Sequence, residues 1–402
     1  MPSLYDKLKR MQPITTAERH PADDRGCLVV KERIPICEWG GTEVGADALA
    51  FLSDGKIRGD MHLGDFLFLD TETTGLSNGA GTLAFLIGLG RIEEGCLVIT
   101  QVLMRDYHQE TLLLHELKRF LGSAKCLVTF NGASFDIPLL QGRLTINHRN
   151  DNLSQIPHLD LLHSARRLFK LRLGRCSLQR LEEQVFGDMR IDDLPGSEVP
   201  KRYFDYLTSR DEGLLTDVLV HNRQDIASLA RLLFRMAGMH GEPLTAAHQE
   251  DLFSLGKVFE RRGEGVRAAE CYRAVSGKVG HIAKLRLAEL YRKSRMDREA
   301  AEAFEALKRS PAVNGRVFIS LAKIYEHRFA QPERALDIAR QGMIYCTERL
   351  SFSADTREDF RDLEHRCKRL SRKVEKIQHD TQRQNEGTKR TAQTPEGENR
   401  RS

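Results

Sequence analysis

Two acidic residues with the spacing of metal ligands follow an apolar run in the stretch FLFLDTETTGL, residues 66–76. If the run is a strand, Asp70 and Glu72 point to the same side of it, because side chains alternate along a strand. Two carboxylates that lose hydration side by side repel each other, and a bound cation removes that conflict. The alternative is an exposed strand end with two solvated acids. The doubly apolar run favours a central strand and therefore the metal site.

A third carboxylate, Asp136, follows a second predicted strand in the stretch TFNGASFDIPLL. We expect it in the first turn of a helix, with Ser134 as the N-cap. The alternative role for Asp136 is a favourable interaction with the positive end of the helix dipole. Asp160, in PHLDLL, ends another predicted strand. It is expected to cap the following helix rather than to support the metal site.

A fourth carboxylate lies on a predicted helix over about 214–238, in LVHNRQDIASLARLLF. His221 and Asp225 fall one turn apart on the inward stripe of that helix, where the pattern predicts apolar residues. A buried carboxylate needs a partner. That partner is either a metal ion or, as the alternative, an arginine such as Arg223 or Arg231.

The four carboxylates form an oxygen-only ligand set, which suits Mg²⁺ or Mn²⁺ rather than zinc. Two such ions about 4 Å apart stabilise the attacking water and the leaving oxygen of a phosphodiester. His221 is a candidate to orient or deprotonate the water, since neutral histidine is populated near pH 7. The alternative for His221 is a buried structural role. The predicted chemistry is therefore phosphodiester hydrolysis with two divalent metal ions.

The order of the predicted elements is that of an RNase H-like domain over residues 61–240. Three strand-like runs, DFLFLD, LAFLIGLGRI and CLVITQVLM, are separated by short turns and are expected to pair antiparallel. Two further strands, in CLVTFNG and PHLDLL, follow through helices. The predicted fold class is an α/β RNase H-like mixed sheet flanked by helices. Residues 1–60 show no clear pattern and are assigned to an N-terminal arm.

Residues 248–348 are predicted to be helical and to repeat. Leu255, Leu287 and Leu321 stand 32 and 34 residues apart, and each precedes a small residue. This period is typical of tetratricopeptide repeats, with an irregular helical bundle as the alternative. Residues 349–402 are assigned to a basic tail whose last 25 or so residues are disordered. The basic helix around 366–376 either holds nucleic acid or caps the last repeat, and capping is favoured.

The carboxylate motifs resemble those of the DEDD superfamily of 3′–5′ exonucleases, and the whole pattern resembles the bacterial YprB-type family, also called MrfB-like. The likeness rests on DTETTGL, GTLAFLIGLG, VTFNGASFDIPLL, HLDLLHSARRLF, HNRQDIASL and YEHRF. It implies a metal-dependent exonuclease of DNA metabolism, with repair as the expected role, and makes Asp70, Glu72, Asp136 and Asp225 the ligands. One departure is that His221 stands four residues before the aspartate, whereas the histidine of such motifs usually stands five before.

Substrate contacts are predicted from a basic run and from the resemblance. The run over 161–181 contains no acid, which beside a metal site predicts a phosphate track, with a solvated face as the alternative. The members assigned to the substrate are Arg166, Arg167, Lys170 and Arg172. By resemblance, Thr73, Leu76 and Phe135 are assigned to the terminal nucleotides. For Phe135 a core position is an equally good interpretation.

Composition bounds the remaining possibilities for this chain of 402 residues. The net charge of +5 permits a nucleic-acid partner without demanding one. Eight scattered cysteines without a CxxC pair predict reduced thiols and a cytoplasmic protein, and no apolar run of about 18 residues predicts a membrane span. The predicted partners are DNA, favoured over RNA, and a protein bound by the repeats, by resemblance a repair helicase. Two alternatives stay open: a repeat scaffold whose nuclease-like domain only binds nucleic acid, and an exoribonuclease of the same mechanism.

Overall fold

The computed structural model describes residues 26–39, 43–75, 81–149, 151–190, 194–310, 313–349 and 354–391. The chain divides into two compact units, and the division falls between Leu255 and Gly256. The predicted boundary near residue 240 was therefore placed too early. Asp251 explains the difference, because its buried carboxylate pairs with Arg172 at 2.8 Å and ties the following segment to the first unit.

The first unit is built on a mixed six-stranded sheet in the order β1-β4-β3-β2-β5-β6. Strands β1 to β4 pair antiparallel with their neighbours, whereas β5 is parallel to both β2 and β6. This confirms the predicted mixed sheet. The strands are β1 (Leu28–Pro35), β2 (Phe66–Thr73), β3 (Ala84–Glu93), β4 (Cys96–Leu103), β5 (Cys126–Thr129) and β6 (His158–Asp160).

Strand β2 lies in the interior of the sheet, between β3 and β5, and is buried on both faces. Its residues Phe66 and Leu69 are at most 1% exposed, as the continuous apolar run predicts for a strand buried on both sides. The described helices of this unit are α1 (Ala46–Leu52), α2 (Glu110–Leu121), α3 (Asp136–Ile146), α4 (Leu161–Leu173), α5 (Leu178–Leu181), α6 (Val199–Ser209) and α7 (Thr216–Gly241).

The segment predicted to be an N-terminal arm is, where the structure describes it, part of the first unit. Strand β1 pairs with β4 along its whole length. Helix α1 packs against α7, where the ring of Phe51 lies 4.8 Å from that of His240. The prediction of a separate arm over 1–60 is thus wrong for residues 26–60, because β1 alternates too weakly between apolar and polar residues to be recognised. Residues 1–25 lie outside the described part of the chain.

The second unit is helical, and most of its helices pack against the next one along the chain. The small residues at repeat-equivalent positions, Ala268, Ala300 and Ala335, are fully buried. The helices are α8 (Gln249–Arg261), which contains the division between the units, α9 (Gly265–Ala274), α10 (Gly277–Lys293), α11 (Asp297–Leu307), α12 (Gly315–His327), α13 (Pro332–Thr347) and α14 (Ala354–Thr391).

An arginine stacks on an aromatic ring at two equivalent positions of this helical unit. The guanidinium of Arg267 stacks 4.1 Å above the ring of Phe259, and Arg334 stacks 4.2 Å above Tyr325. The spacing is eight residues in the first pair and nine in the second, which reproduces the extra residue in the third predicted repeat. The recurrence supports a repeating unit.

Helix α14 covers the last helices of the second unit. Leu363 and Leu370 are fully buried. Arg369 donates from Nη1 and Nη2 to the two oxygens of the buried Glu326 carboxylate. Arg366 also pairs with Glu326, so two arginines of the basic helix are occupied by protein, which favours the capping interpretation. The helix continues to Thr391, beyond the point where disorder was predicted to begin, and residues 392–402 lie outside the described part.

Two features bear on the environment of the chain. All eight cysteines carry free thiols. Among the helices that the structure describes, none is both long and apolar enough to cross a membrane.

Candidate active site

The structure brings the four predicted carboxylates together at the end of β2. Burial raises the pKa of Asp70 well above its usual range, and repulsion from Asp225, Glu72 and Asp136 raises it further. Burial likewise raises the pKa of Glu72 to about 8. Carboxyl groups that shift one another in this way are neighbours in a site poor in water.

Asp136 reaches this cluster from the start of α3. Thr71, between the two acids of β2, donates from Oγ1 to Oδ1 of Asp136 over 2.6 Å. Burial raises the pKa of Asp136 to about 6, with the Thr71 hydrogen bond acting in the opposite direction. The N-cap position is occupied by Phe135, so the prediction of Ser134 as the N-cap residue is wrong.

The loop that delivers Asp136 is held by Asp160. The backbone N–H groups of Asn131 and Ala133 donate to the two carboxylate oxygens of Asp160, over 2.8 and 3.2 Å. The same carboxylate accepts the N–H of Leu162 at 3.0 Å and so caps α4, as predicted. Gly132 is required between them, because a Cβ there would lie 2.6 Å from Cβ of Thr129.

Asp70 is oriented by a buried amide on α7 that the sequence analysis did not identify. Nδ2 of Asn222 donates to Oδ2 of Asp70 over 2.9 Å. Its Oδ1 accepts a 2.9 Å hydrogen bond from Gln101 on β4, which also donates to the carbonyl of Leu219. Gly88 lies between Asp70 and Gln101 in the register of the sheet and leaves room for the amide, since a Cβ there would lie 2.8 Å from Cγ of Asn222.

Arg190 is the partner of Asp225. Its side chain is 3% exposed and binds one oxygen of Asp225 while forming two hydrogen bonds of 2.5 and 2.6 Å with Glu182. Glu182 is also buried, accepts from Ser228, and begins a π-helical turn, Glu182–Phe186, a feature common at functional sites. A buried cation thus lies against the carboxylate cluster.

The two arginines proposed as alternative partners are engaged elsewhere. Arg223 pairs with Glu32 of β1 at 3.0 Å, and Arg231 pairs with Asp188. The expectation that the Asp225 carboxylate needs a partner is met, but by a residue from a distant loop.

His221 lies between Arg190 and Asp225. Nη1 of Arg190 is 3.3 Å from Nδ1 of the imidazole, and Nε2 is 3.8 Å from Oδ2 of Asp225. A guanidinium can only donate, so Nδ1 is the atom that faces the Arg190 donor, and Nε2 faces the carboxylate. His221 is therefore at the site, held in one orientation by both neighbours.

The predicted phosphate track divides into two pairs of residues. Arg167 donates to the carbonyl of Leu52 at the end of α1, and Arg172 is held by Asp251, so both side chains have partners within the protein. Their assignment to substrate stays a prediction that this geometry does not favour. Arg166 and Lys170 are exposed and stay available. Helical spacing explains the split, since adjacent members of the run fall on different faces of α4.

The remaining predicted substrate contacts have mixed surroundings. Thr73 is buried, and its hydroxyl donates to the carbonyl of Gly75 over 2.7 Å, which closes the turn after β2. Phe135 is half-buried at the start of α3. Leu76 lies outside the described residues.

The donor set fits a hard divalent cation. Asp70, Glu72 and Asp136 carry raised pKa values, Asp225 lies beside them, and oxygen-only donors suit Mg²⁺ or Mn²⁺. Within the described part of the chain, no three acidic, histidine or cysteine side chains already form a ligand shell. The Arg190–Asp225 pair is the contact that would compete most directly with a metal ion.

The sheet order and the carboxylate cluster define the class of the first unit. Residues 67–237 match the RNase_H superfamily, whose members are phosphodiester-cleaving nucleases acting on nucleic acid. The chain is also 33% identical over 288 residues to "Uncharacterized protein YprB" of Bacillus subtilis (strain 168), a match that covers 69% of each protein. The chain belongs to this YprB family.

Four site residues were missed from the sequence: Asn222, Gln101, Arg190 and Glu182. For Asn222 a signal existed, because it lies one turn from Val218 and Ile226 on the buried stripe of α7, where a polar residue needs a reason. Arg190 and Glu182 carry no such signal, since their pairing depends on the path of the loop between α5 and α6.

Proposed function

We propose that this protein is a metal-dependent 3′–5′ exonuclease acting on single-stranded or frayed DNA, with a role in DNA repair. The observation that carries the proposal is the buried cluster of Asp70, Glu72, Asp136 and Asp225 in an RNase H-like domain. The 3′–5′ direction and the preference for DNA rest on the resemblance of the three motifs to DEDD exonucleases.

Asp70, Glu72, Asp136 and Asp225 would hold two divalent ions, which when bound supply charge stabilisation for the attacking water and the leaving oxygen. The protein's own contribution is orientation. Asn222 fixes the rotamer of Asp70, and Thr71 fixes that of Asp136. His221 faces Asp225 with Nε2 and is placed to contact the water.

Substrate binding is assigned to two exposed cations on α4 and to Phe135 beside the cluster. Arg166 and Lys170 would contact phosphates through charge alone, which gives binding without sequence preference. Phe135, half-buried directly before Asp136, would stack against a terminal base.

The helical unit is assigned to partner recruitment rather than catalysis. We propose that it forms tetratricopeptide-like repeats and docks a protein partner, by family resemblance a repair helicase. The 32- and 34-residue spacing and the recurring arginine–aromatic stacks support the repeats. Eight free thiols support a cytoplasmic setting.

A second candidate function is a scaffold that binds nucleic acid without cleaving it. The observation in its favour is the Arg190–Asp225 ion pair, which already supplies a cation to the carboxylate cluster. The two functions differ in one measurable property, cleavage.

The test is incubation of the purified protein with 3′- and 5′-labelled DNA and RNA in Mg²⁺, Mn²⁺ or chelator. We expect metal-dependent shortening of DNA from its 3′ end, and loss of most activity in Asp70→Asn and Asp136→Asn. Asp251→Asn is the matched control, because that carboxylate is equally buried but lies in the Arg172 pair. Binding without cleavage in every metal would establish the scaffold, and preferential cleavage of RNA would establish an exoribonuclease.

A further inference from the structure

The helical unit contains a basic pocket of about 490 Å³. Six of its lining side chains are cationic or can become so, whereas one lining residue, Asp297, is acidic. The six are Arg292, Lys293, Arg295, Lys323, His327 and Arg328. The pocket therefore carries an excess of positive charge over most of its lining.

The fold gathers these side chains from two helix ends and one turn. Helices α10 and α12 end at the pocket, where cations in the last turn stabilise the helix dipole. That structural reason accounts for Arg292 and Lys293. It does not account for Arg295, which lies in the turn after α10 with φ +61°, or for Lys323, which lies a turn inside α12.

Ion pairs satisfy only part of this charge. Arg292 pairs with Glu289 at 2.8 Å and Lys293 with Glu260 at 3.0 Å. His327 lies 3.4 Å from Glu326, and Arg328 lies 3.6 Å from Asp297. Arg295 and Lys323 are exposed and have no carboxylate partner among the described residues. Two unneutralised cations thus converge on one concave surface.

We propose that this pocket binds the phosphate backbone of a nucleic-acid strand. Guanidinium groups match phosphate oxygens in a bidentate manner, and three arginines line the pocket. Its apolar lining is Ile324, so it offers few of the apolar anchors that peptide recognition needs. The strand is identified as the substrate only through the proposed function, but the pocket's affinity for phosphates does not depend on cleavage.

The test measures binding of the full-length protein to a fluorescein-labelled oligothymidine in chelator, across a range of salt. The double variant Arg295→Gln/Lys323→Gln removes both unpaired cations. Lys284→Gln/Arg298→Gln is the matched control, because it removes two exposed cations of the same unit that do not line the pocket. Thermal melting establishes that both variants are folded.

We expect the slope of log affinity against log salt to fall by about 1.4 in the pocket variant, or about 0.7 for each contact with a single strand. The control variant should keep the wild-type slope. Equal slopes in all three proteins would overturn the proposal. Binding of a polyglutamate peptide is measured in the same way, and a pocket variant that loses this peptide but keeps its oligothymidine binding would also overturn it. Since chelator prevents cleavage, a change in slope stands even if the nuclease assignment fails.

Discussion

Nδ2 of Asn222 donates a 2.9 Å hydrogen bond to Oδ2 of Asp70, and this bond joins helix α7 to the central strand at the carboxylate cluster. The amide is fully buried and fits because residue 88 is glycine. Orientation of the Asp70 carboxylate thus depends on a residue that has no side chain.

The first prediction concerns this dependence. Gly88→Ala should destabilise the protein and lower nuclease activity, because the new methyl group displaces the Asn222 amide. Asn222→Ala should cost about 1–3 kcal/mol by leaving one N–H of the buried Gln101 amide without its acceptor. In the double variant the clash is absent, so its loss in free energy of unfolding should be smaller than the sum of the two single-variant losses. Chemical denaturation of all four proteins checks this, and strict additivity would contradict the contact.

The second prediction concerns Arg190. Arg190→Gln leaves Glu182 buried without its cation and should cost about 3–5 kcal/mol in chelator. Replacing both, in Arg190→Gln/Glu182→Gln, should recover much of that loss. Since Asp225 also loses its partner, Mn²⁺ should raise the melting temperature of Arg190→Gln more than that of the wild type.

Arg231→Gln is the control for this prediction. It also removes a cation from a buried acid, Asp188, but one outside the carboxylate cluster. It should lower stability without changing the Mn²⁺-induced shift. An equal shift in both variants would show that Arg190 does not compete with metal.

The third prediction concerns pH. The folded-state pKa of Glu72 is raised from 4.5 to about 8 and that of Asp136 from 3.8 to about 6. A carboxyl group whose pKa rises on folding binds its proton more tightly in the folded state than in the unfolded state. Its contribution to the free energy of unfolding is therefore present at low pH and is lost as pH rises through the folded pKa. In chelator, the melting temperature should therefore fall between about pH 5 and about pH 8.

Glu72→Gln should flatten that pH dependence, because glutamine does not titrate. Mn²⁺ should stabilise the wild type more at the upper end of the range, where the carboxylates are ionised. A wild-type melting temperature in chelator that is independent of pH over this range would contradict the burial of these carboxyl groups.

Much of the fold and the four acids could be predicted because each has a local signature: an apolar run before Asp70, a strand before Asp136, and a polar residue on a buried stripe at Asp225. Strand β1 lacked such a pattern. Arg190 and the separate roles of Arg166 and Arg167 depend on long-range contacts that no local pattern contains.

The fourth prediction concerns His221. If it contacts the attacking water, His221→Ala should slow turnover by about 10²-fold with little change in DNA affinity. If it is a structural bridge between Arg190 and Asp225, the variant should instead lose thermal stability and keep its specific activity. Measuring both on one preparation decides between the two roles.

The last prediction concerns the basic run on α4. Arg166→Gln and Lys170→Gln remove exposed cations, and each should lower the slope of log affinity against log salt by about 0.7 for single-stranded DNA. Arg172→Gln leaves buried Asp251 unpaired, so it should reduce stability while the slope stays at the wild-type value. Arg167→Gln should behave in the same way, because its guanidinium binds the carbonyl of Leu52. A fall in slope for all four variants would restore the continuous phosphate track, and no fall in any would place the exposed face of α4 outside the substrate path.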